Sequence, residues 1–148
     1  MATLSADVSV VFDPRYEIGL TQFAAVATDV YFRGGVSFTV GASGLLTLTP
    51  AVTADFYAGV VMEHKSALIT ELVWVATSGT FWFANSNFTD ANRGKIFAQA
   101  AADLTDNPAS LVISTTGTTA GIGQLKAVDS TGVSGYLNTN VRITDENL

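Results

Sequence analysis

An all-β fold follows from three features of this sequence. Short apolar runs recur at intervals of roughly 8–15 residues, turn residues separate them, and several alternate apolar with polar at every second position. The architecture expected is a compact β-barrel or sandwich-like single domain. Its body covers residues 17–148, including a short acidic C-terminal tail, and an extended N-terminal arm covers residues 1–16. A chain of 148 residues is long enough for one core and short for two.

The most informative stretch is residues 71–83, ELVWVATSGTFWF. It reads as two β-prone runs, residues 72–76 and 80–83, joined at Thr77-Ser78-Gly79. In the first run Leu72, Trp74 and Ala76 point one way and Val73 and Val75 the other, so both faces are apolar. A strand with one wet face would carry polar residues at alternate positions. This strand is therefore expected to be covered twice, by its own core and by another sheet or another subunit.

Asp13-Pro14 fixes a turn at the end of the arm, within which residues 8–12 are fit to pair at a sheet edge. Residues 18–30 read as a loop feeding a strand or as a weak helix. Val36, Phe38 and Val40 alternate with Ser37 and Thr39, Gly41 to Gly44 turns, and Leu46 and Leu48 alternate with Thr47 and Thr49. That is a β-hairpin. Residues 56–62 form an apolar strand with Gly59 at a bulge or close approach. Thr89-Asp90 begins one helical turn before Gly94, and residues 95–100 form a strand. Further strands are expected near residues 111–114, 121–128 and 138–144, with a loop over 129–135. A weak echo, small residues and then β-branched ones, links 58–60 with 72–75 and 120–123 with 140–143. It suggests two similar strand pairs facing each other.

Composition narrows the function. Charged residues are 14% of the chain, against about 25% in ordinary soluble domains. Hydrophobic residues are 48%, and the mean hydropathy is +0.35. Too few charges are present to coat a lone molecule comfortably, so surface is expected to be buried between subunits or on a larger partner. Net charge is −6 and the seven Lys and Arg residues are scattered, which argues against binding nucleic acid or an anionic membrane. No apolar run approaches the roughly 20 residues that span a bilayer, and the first ten residues lack the basic and apolar regions of a signal peptide. Without cysteine there is neither a disulfide framework nor thiol chemistry.

No catalytic, cofactor or metal residues are assigned. His64 is the only histidine and stands beside Glu63 and Lys65 in a polar connection, without a partner for a triad or a zinc site. Asp103 to Asn107 lacks the spacing of a calcium loop and reads as an Asx-rich turn. Gly121-Ile122-Gly123 lacks the third glycine and the acidic ribose ligand of a dinucleotide site. Asn87-Phe88-Thr89 matches a glycosylation acceptor. Trp74, Trp82, Phe81 and Phe83 suit core or interface packing better than a sugar-stacking platform.

The order of hydrophobic phrases carries a resemblance. Residues 30–36 (VYFRGGV), 44–46 (GLL), 56–61 (FYAGVV), 73–81 (VWVATSGTF), 90–97 (DANRGKIF), 120–123 (AGIG) and 141–143 (VRI) follow one another with glycine at the breaks. This resembles the capsid decoration, or cement, proteins of tailed double-stranded DNA bacteriophages, over roughly residues 18–144. The resemblance implies a β-barrel-like body on the outer surface of an assembled capsid, bound to the major capsid protein and to its own copies as a homotrimer. On this reading Val8, Val10 and Phe12 in the arm contact neighbours, and Val73, Val75 and Trp82 form the subunit interface. The alternatives are a tail or fibre domain that contacts host glycans, and an all-β enzyme or small-ligand module.

Overall fold

The computed structural model describes residues 3–49, 56–99, 105–114, 121–128 and 134–138, the last as backbone alone. The strands are β1 (Val11–Phe12), β2 (Gly19–Ala24), β3 (Asp29–Tyr31), β4 (Val36–Thr39), β5 (Leu46–Thr47), β6 (Phe56–Val61) and β7 (Lys65–Ala67). They continue as β8 (Leu72–Ser78), β9 (Thr80–Ala84), β10 (Ile96–Ala98), β11 (Val112–Ile113), β12 (Gly123–Val128) and β13 (Ser134–Asn138). Among the described residues only two short 3-10 turns, Asp90–Asn92 and Pro108–Ser110, break the β pattern. The all-β expectation holds, and residues 18–30 supply two strands instead of a helix. The first 3-10 turn lies where Thr89-Asp90 predicts a helical turn, although the Thr89 hydroxyl makes no capping bond.

Two antiparallel sheets make up most of the body. The six-stranded sheet has the order β1-β9-β13-β12-β10-β11 and the five-stranded sheet the order β2-β8-β6-β4-β5. A separate two-stranded sheet pairs β3 with β7. One parallel bridge, Ala25 to Leu46, draws the two edges of the five-stranded sheet together at one end without closing a barrel. The architecture is therefore sandwich-like. The predicted 36–48 hairpin is present as β4 and β5, with Phe38 opposite Thr47.

Each face of the five-stranded sheet has its own core. Between the two large sheets, Val36, Phe38, Tyr57, Val60 and Ala76 meet Phe81, Phe83, Phe97, Ile122 and Leu125. Aromatic edges fill this layer, as where Phe88 and Phe97 meet edge-to-face at 4.9 Å between ring centres. On the opposite face Val61, Val73, Val75, Leu46 and Ala58 pack with Tyr31 and Ala67, which come from the small sheet. The double cover expected of residues 72–76 is supplied within the chain for Val73, Val75 and Ala76, whereas Leu72 and Trp74 stay exposed.

That arrangement corrects one expectation directly. Val73 and Val75 are wholly buried in the second core and present no atoms to a partner. The cover that hides them comes from DVY and KSA, segments of three residues each, too short to signal a layer in the sequence.

Two glycines shape the sheets. Gly59 has φ +151°, and a Cβ there would strike the Ala76 carbonyl oxygen, so β6 can lie against β8 only with glycine at this position. The pairing of β4 with β6 also shifts register between Ser37 and Phe38, beside this glycine. Gly79 has φ +143° and turns the chain between sheets. β8 and β9 do not form a ribbon with each other: β8 belongs to the five-stranded sheet and β9 to the six-stranded one. A strand that changes sheet at a bend makes a corner of a sandwich.

The echo is resolved in part. β6 and β8 pair directly, Val60 with Ala76 and Val61 with Val75. The second member of the other pair, residues 140–143, lies outside the described residues, as does most of the 138–144 strand. Within the loop expected over 129–135, β13 already begins at Ser134.

Residues 3–12 lie along their own body. The Val8 N–H donates to the Arg33 carbonyl at 2.8 Å, and β1 pairs with β9 through Val11–Trp82 and Phe12–Phe81. Gly34, at φ +86°, is fitted to this contact: a Cβ there would sit 2.7 Å from the Val8 carbonyl oxygen. The Asp7 carboxylate accepts from the Arg33 N–H at 3.0 Å and lies 2.8 Å from His64 Nδ1.

Candidate interaction surface

Several of the exposed large apolar residues lie on β2, on β8 and in the turn before β8, while Tyr16 and Phe56 are exposed elsewhere. Leu72 and Trp74 share a face of β8 with Ala76, but only Ala76 lies under the six-stranded sheet; the other two remain 47% and 43% exposed. In register beside them on β2 stand Ala24, opposite Leu72, and Gln22, opposite Trp74. Leu20, opposite Ala76, is exposed as well. The turn leading into β8 adds Leu68 and Ile69, at 60% and 59% exposure. It is a tight turn: the Glu71 N–H donates to the Leu68 carbonyl at 3.0 Å, and Thr70 takes φ +68°.

Charged side chains border this surface and are held in place by backbone groups. Glu63 accepts the Trp74 N–H at 2.7 Å, which satisfies β8 where β6 has ended. Lys65 Nζ donates to the Leu72 carbonyl at 2.7 Å, and Glu71 Oε1 accepts the Leu68 N–H at 2.8 Å. An apolar centre with a polar rim is the usual anatomy of a protein interface. Rim groups already fixed lose little rotamer freedom when a partner docks.

A second apolar strip lies at the edge of the six-stranded sheet. Val11 and Phe12 are exposed at 42% and 43%, with Trp82 half-buried opposite Val11. Of the residues expected to contact neighbours, Phe12 and Trp82 thus retain surface. Val8 and Val10 are half-buried against their own body, Val10 on the first core. Leu20, Leu68, Ile69, Leu72 and Trp74 escape a sequence reading as an exposed set. Their signal is two adjacent aliphatics, Leu68-Ile69, inside a polar connection.

The remaining candidates take structural places. His64 is exposed, beside Asp7, with its ring edge-on to Phe32 at 5.2 Å between centres. Desolvation acts to raise the Asp7 carboxyl, but the Arg33 N–H and His64 outweigh it and hold Asp7 below the ordinary aspartate range. Asn87 Nδ2 donates to the Leu111 carbonyl at 3.1 Å, so the glycosylation-type asparagine is engaged in packing the loop. Phe81 and Phe83 are core residues, and Gly121 and Gly123 are buried. Of the Asx-rich turn, Asn107 caps the second 3-10 turn by accepting the Ala109 N–H. Asp106 is buried, and Asp103 lies outside the described residues. The Tyr31 hydroxyl donates to the Leu46 carbonyl at 3.0 Å; burial, with a smaller contribution from Asp29, pushes its pKa up to about 12.

Comparison with protein-family models, with curated proteins and with solved structures found no match for this chain. Among the described residues no helix is long and apolar enough to cross a membrane.

Proposed function

We propose that the chain is a non-enzymatic structural protein of a bacteriophage virion, bound to the outer surface of the assembled capsid and stabilising it. Its partners on this reading are the major capsid protein and further copies of itself, as a homotrimer. The observation that carries the reading is the exposure of Leu20, Leu72 and Trp74 on the β2–β8 face and of Leu68 and Ile69 in the adjoining turn, beside charged side chains held by backbone groups. The low charge content and the order of hydrophobic phrases support it independently.

The mechanism is mass action. Burying apolar area contributes roughly 25 cal/mol per Å², offset in part by the cost of association. A protein that binds only the expanded lattice shifts the shell toward that state. Incubating purified protein with undecorated heads of the corresponding phage tests this. Saturable binding and a higher disruption temperature of the heads are expected; absence of either ends the reading.

One observation favours a second reading, a tail or fibre domain that contacts host glycans. Trp74 is a partly exposed aromatic residue with Gln22 beside it in register, a pairing that suits sugar stacking and hydrogen bonding. Immunolabelled particles viewed by negative stain separate shell from tail.

A further inference from the structure

We propose that the open edge of β2 pairs antiparallel with the same edge of a second copy of this chain, about a two-fold axis through Thr21. Backbone groups recognise the partner, as they recognise any extended strand, and side chains set the register. This goes beyond the virion role and stands without it, because a two-fold edge contact joins single copies or trimers alike.

The two large sheets have four edge strands among the described residues. β1, β5 and β11 are two residues each, whereas β2 has six, GLTQFA, with neither charge nor proline. Short length, lysine and proline are the usual guards of an edge against pairing, and β2 carries none of them. Which of its backbone groups are free follows from its neighbour. The Trp74 N–H donates to Glu63 and the Trp74 carbonyl accepts the Met62 N–H, so both turn toward the β6 side. Opposed residues of an antiparallel pair turn either toward each other or apart. Gln22, opposite Trp74, therefore turns its N–H and carbonyl away from β8, and Leu20, two residues back, does the same. No strand or side chain among the described residues takes these four groups, and Leu20, Thr21 and Gln22 are exposed. The edge closes only farther on, where Ala25 bridges Leu46 and the Val26 N–H donates to the Leu46 carbonyl.

The shape and chemistry of this opening select the occupant. An antiparallel register that sets Leu20 against the partner's Gln22 matches all four outward groups of one copy to those of the other. Four backbone hydrogen bonds form, each copy donating two and accepting two. Thr21 then faces the partner's Thr21, a favourable cross-strand pair, and no like charges meet although the chain carries −6. The opening is short, and β2 fits it because its own regular pairing with β8 stops at Gly19. In this register Gly19 comes opposite the partner's Phe23, just before the bridge to β5 closes that edge. The two five-stranded sheets become one, and the face that carries Leu72 and Trp74 continues across the junction.

Sedimentation velocity on the full chain, with amide exchange at Leu20 and Gln22, provides the test. A contact this small is weak, so dimers and slowed exchange are expected to develop between about 10 µM and about 1 mM chain. Gln22→Pro removes an outward N–H from each copy and leaves the bonds to β8, which come from Thr21 and Phe23, in place. It should weaken pairing about thirtyfold, the scale of two hydrogen bonds. Thr21→Lys and Thr21→Glu should each weaken it about fivefold at low salt. Their equimolar mixture should recover wild-type association, because opposite charges then face each other across the axis. This pair keeps the test decisive if Gln22→Pro fails to fold. The double variant Leu72→Ser, Trp74→Ser alters the face and not the edge, and should leave pairing within about twofold. A single-chain particle up to about 1 mM, pairing that survives in folded Gln22→Pro, or no recovery in the Lys–Glu mixture would each overturn the assignment. So would amides at Leu20 and Gln22 that slow only when capsid heads are added, which would give the edge to a capsid strand instead.

Discussion

Val73 and Val75 on one face of β8, and Leu72 and Trp74 on the other, are neighbours in sequence and alike in hydrophobicity, yet they end differently. The first pair is sealed beneath β3 and β7; the second stays open. Apolarity alone therefore does not locate an interface. What decides is whether the chain has its own layer to spare for that face.

The comparison breaks hardest at Gly59, which lets β6 lie against β8 and so seats both cores. Gly59→Ala should cost about 4 kcal/mol or prevent folding, because the new Cβ meets the Ala76 carbonyl and φ is one that alanine avoids. Urea denaturation followed by tryptophan fluorescence reads the effect.

Alkaline titration tests the sealed face next. Tyr31 ionises at an ordinary 10.0 when unfolded and at about 12 when folded, so its value is raised on folding. The stability tied to the neutral phenol is complete below pH 10 and is lost as pH rises through about 12, amounting to at most about 2.5 kcal/mol. Tyr31→Phe should remove this alkaline loss. It should also cost about 1 kcal/mol at neutral pH, where the Leu46 carbonyl loses its donor. Melting curves from pH 7 to 12 measure both.

The pair itself is separated by truncation. Val75→Ala should destabilise by about 2 kcal/mol through lost burial and a cavity. Trp74→Ser should cost about 1 kcal/mol, less than Val75→Ala, because the indole is partly exposed and its loss leaves no sealed cavity. Calorimetry on the two variants compares them directly.

The smallest effect concerns the arm. Asp7→Ala removes the acceptor of the Arg33 N–H and the partner of His64, both at exposed positions. Faster hydrogen exchange at the Val8 N–H is expected, with an unchanged global unfolding midpoint.

How much of this was legible in the sequence depended on whether a feature is local. The β4–β5 hairpin could be read because its two-residue period and glycine turn lie within fourteen consecutive residues, 36–49. Gly59 could be read as a close approach because a small residue interrupts an apolar strand. The β3–β7 cover could not: each strand is three residues long, and DVY and KSA have no period. The sheet change at Gly79 was hidden because Thr-Ser-Gly marks a hairpin and a corner equally well. The seat of the arm was hidden too, since Gly34-Gly35 reveals its purpose only when Val8 and Leu4 are found against it. As for the interaction surface, Trp74 and Leu72 were visible as apolar, but whether another layer covers them depends on distant parts of the chain, which no local pattern records.

The most direct test is quantitative sedimentation of labelled protein with undecorated heads, comparing wild type, Val75→Ala and the double variant Leu72→Ser, Trp74→Ser. Saturable binding by wild type and by folded Val75→Ala is expected, with loss in the double variant although it still folds and melts cooperatively. Binding that survives in the double variant, or that never saturates in wild type, contradicts the assignment of this face to the capsid.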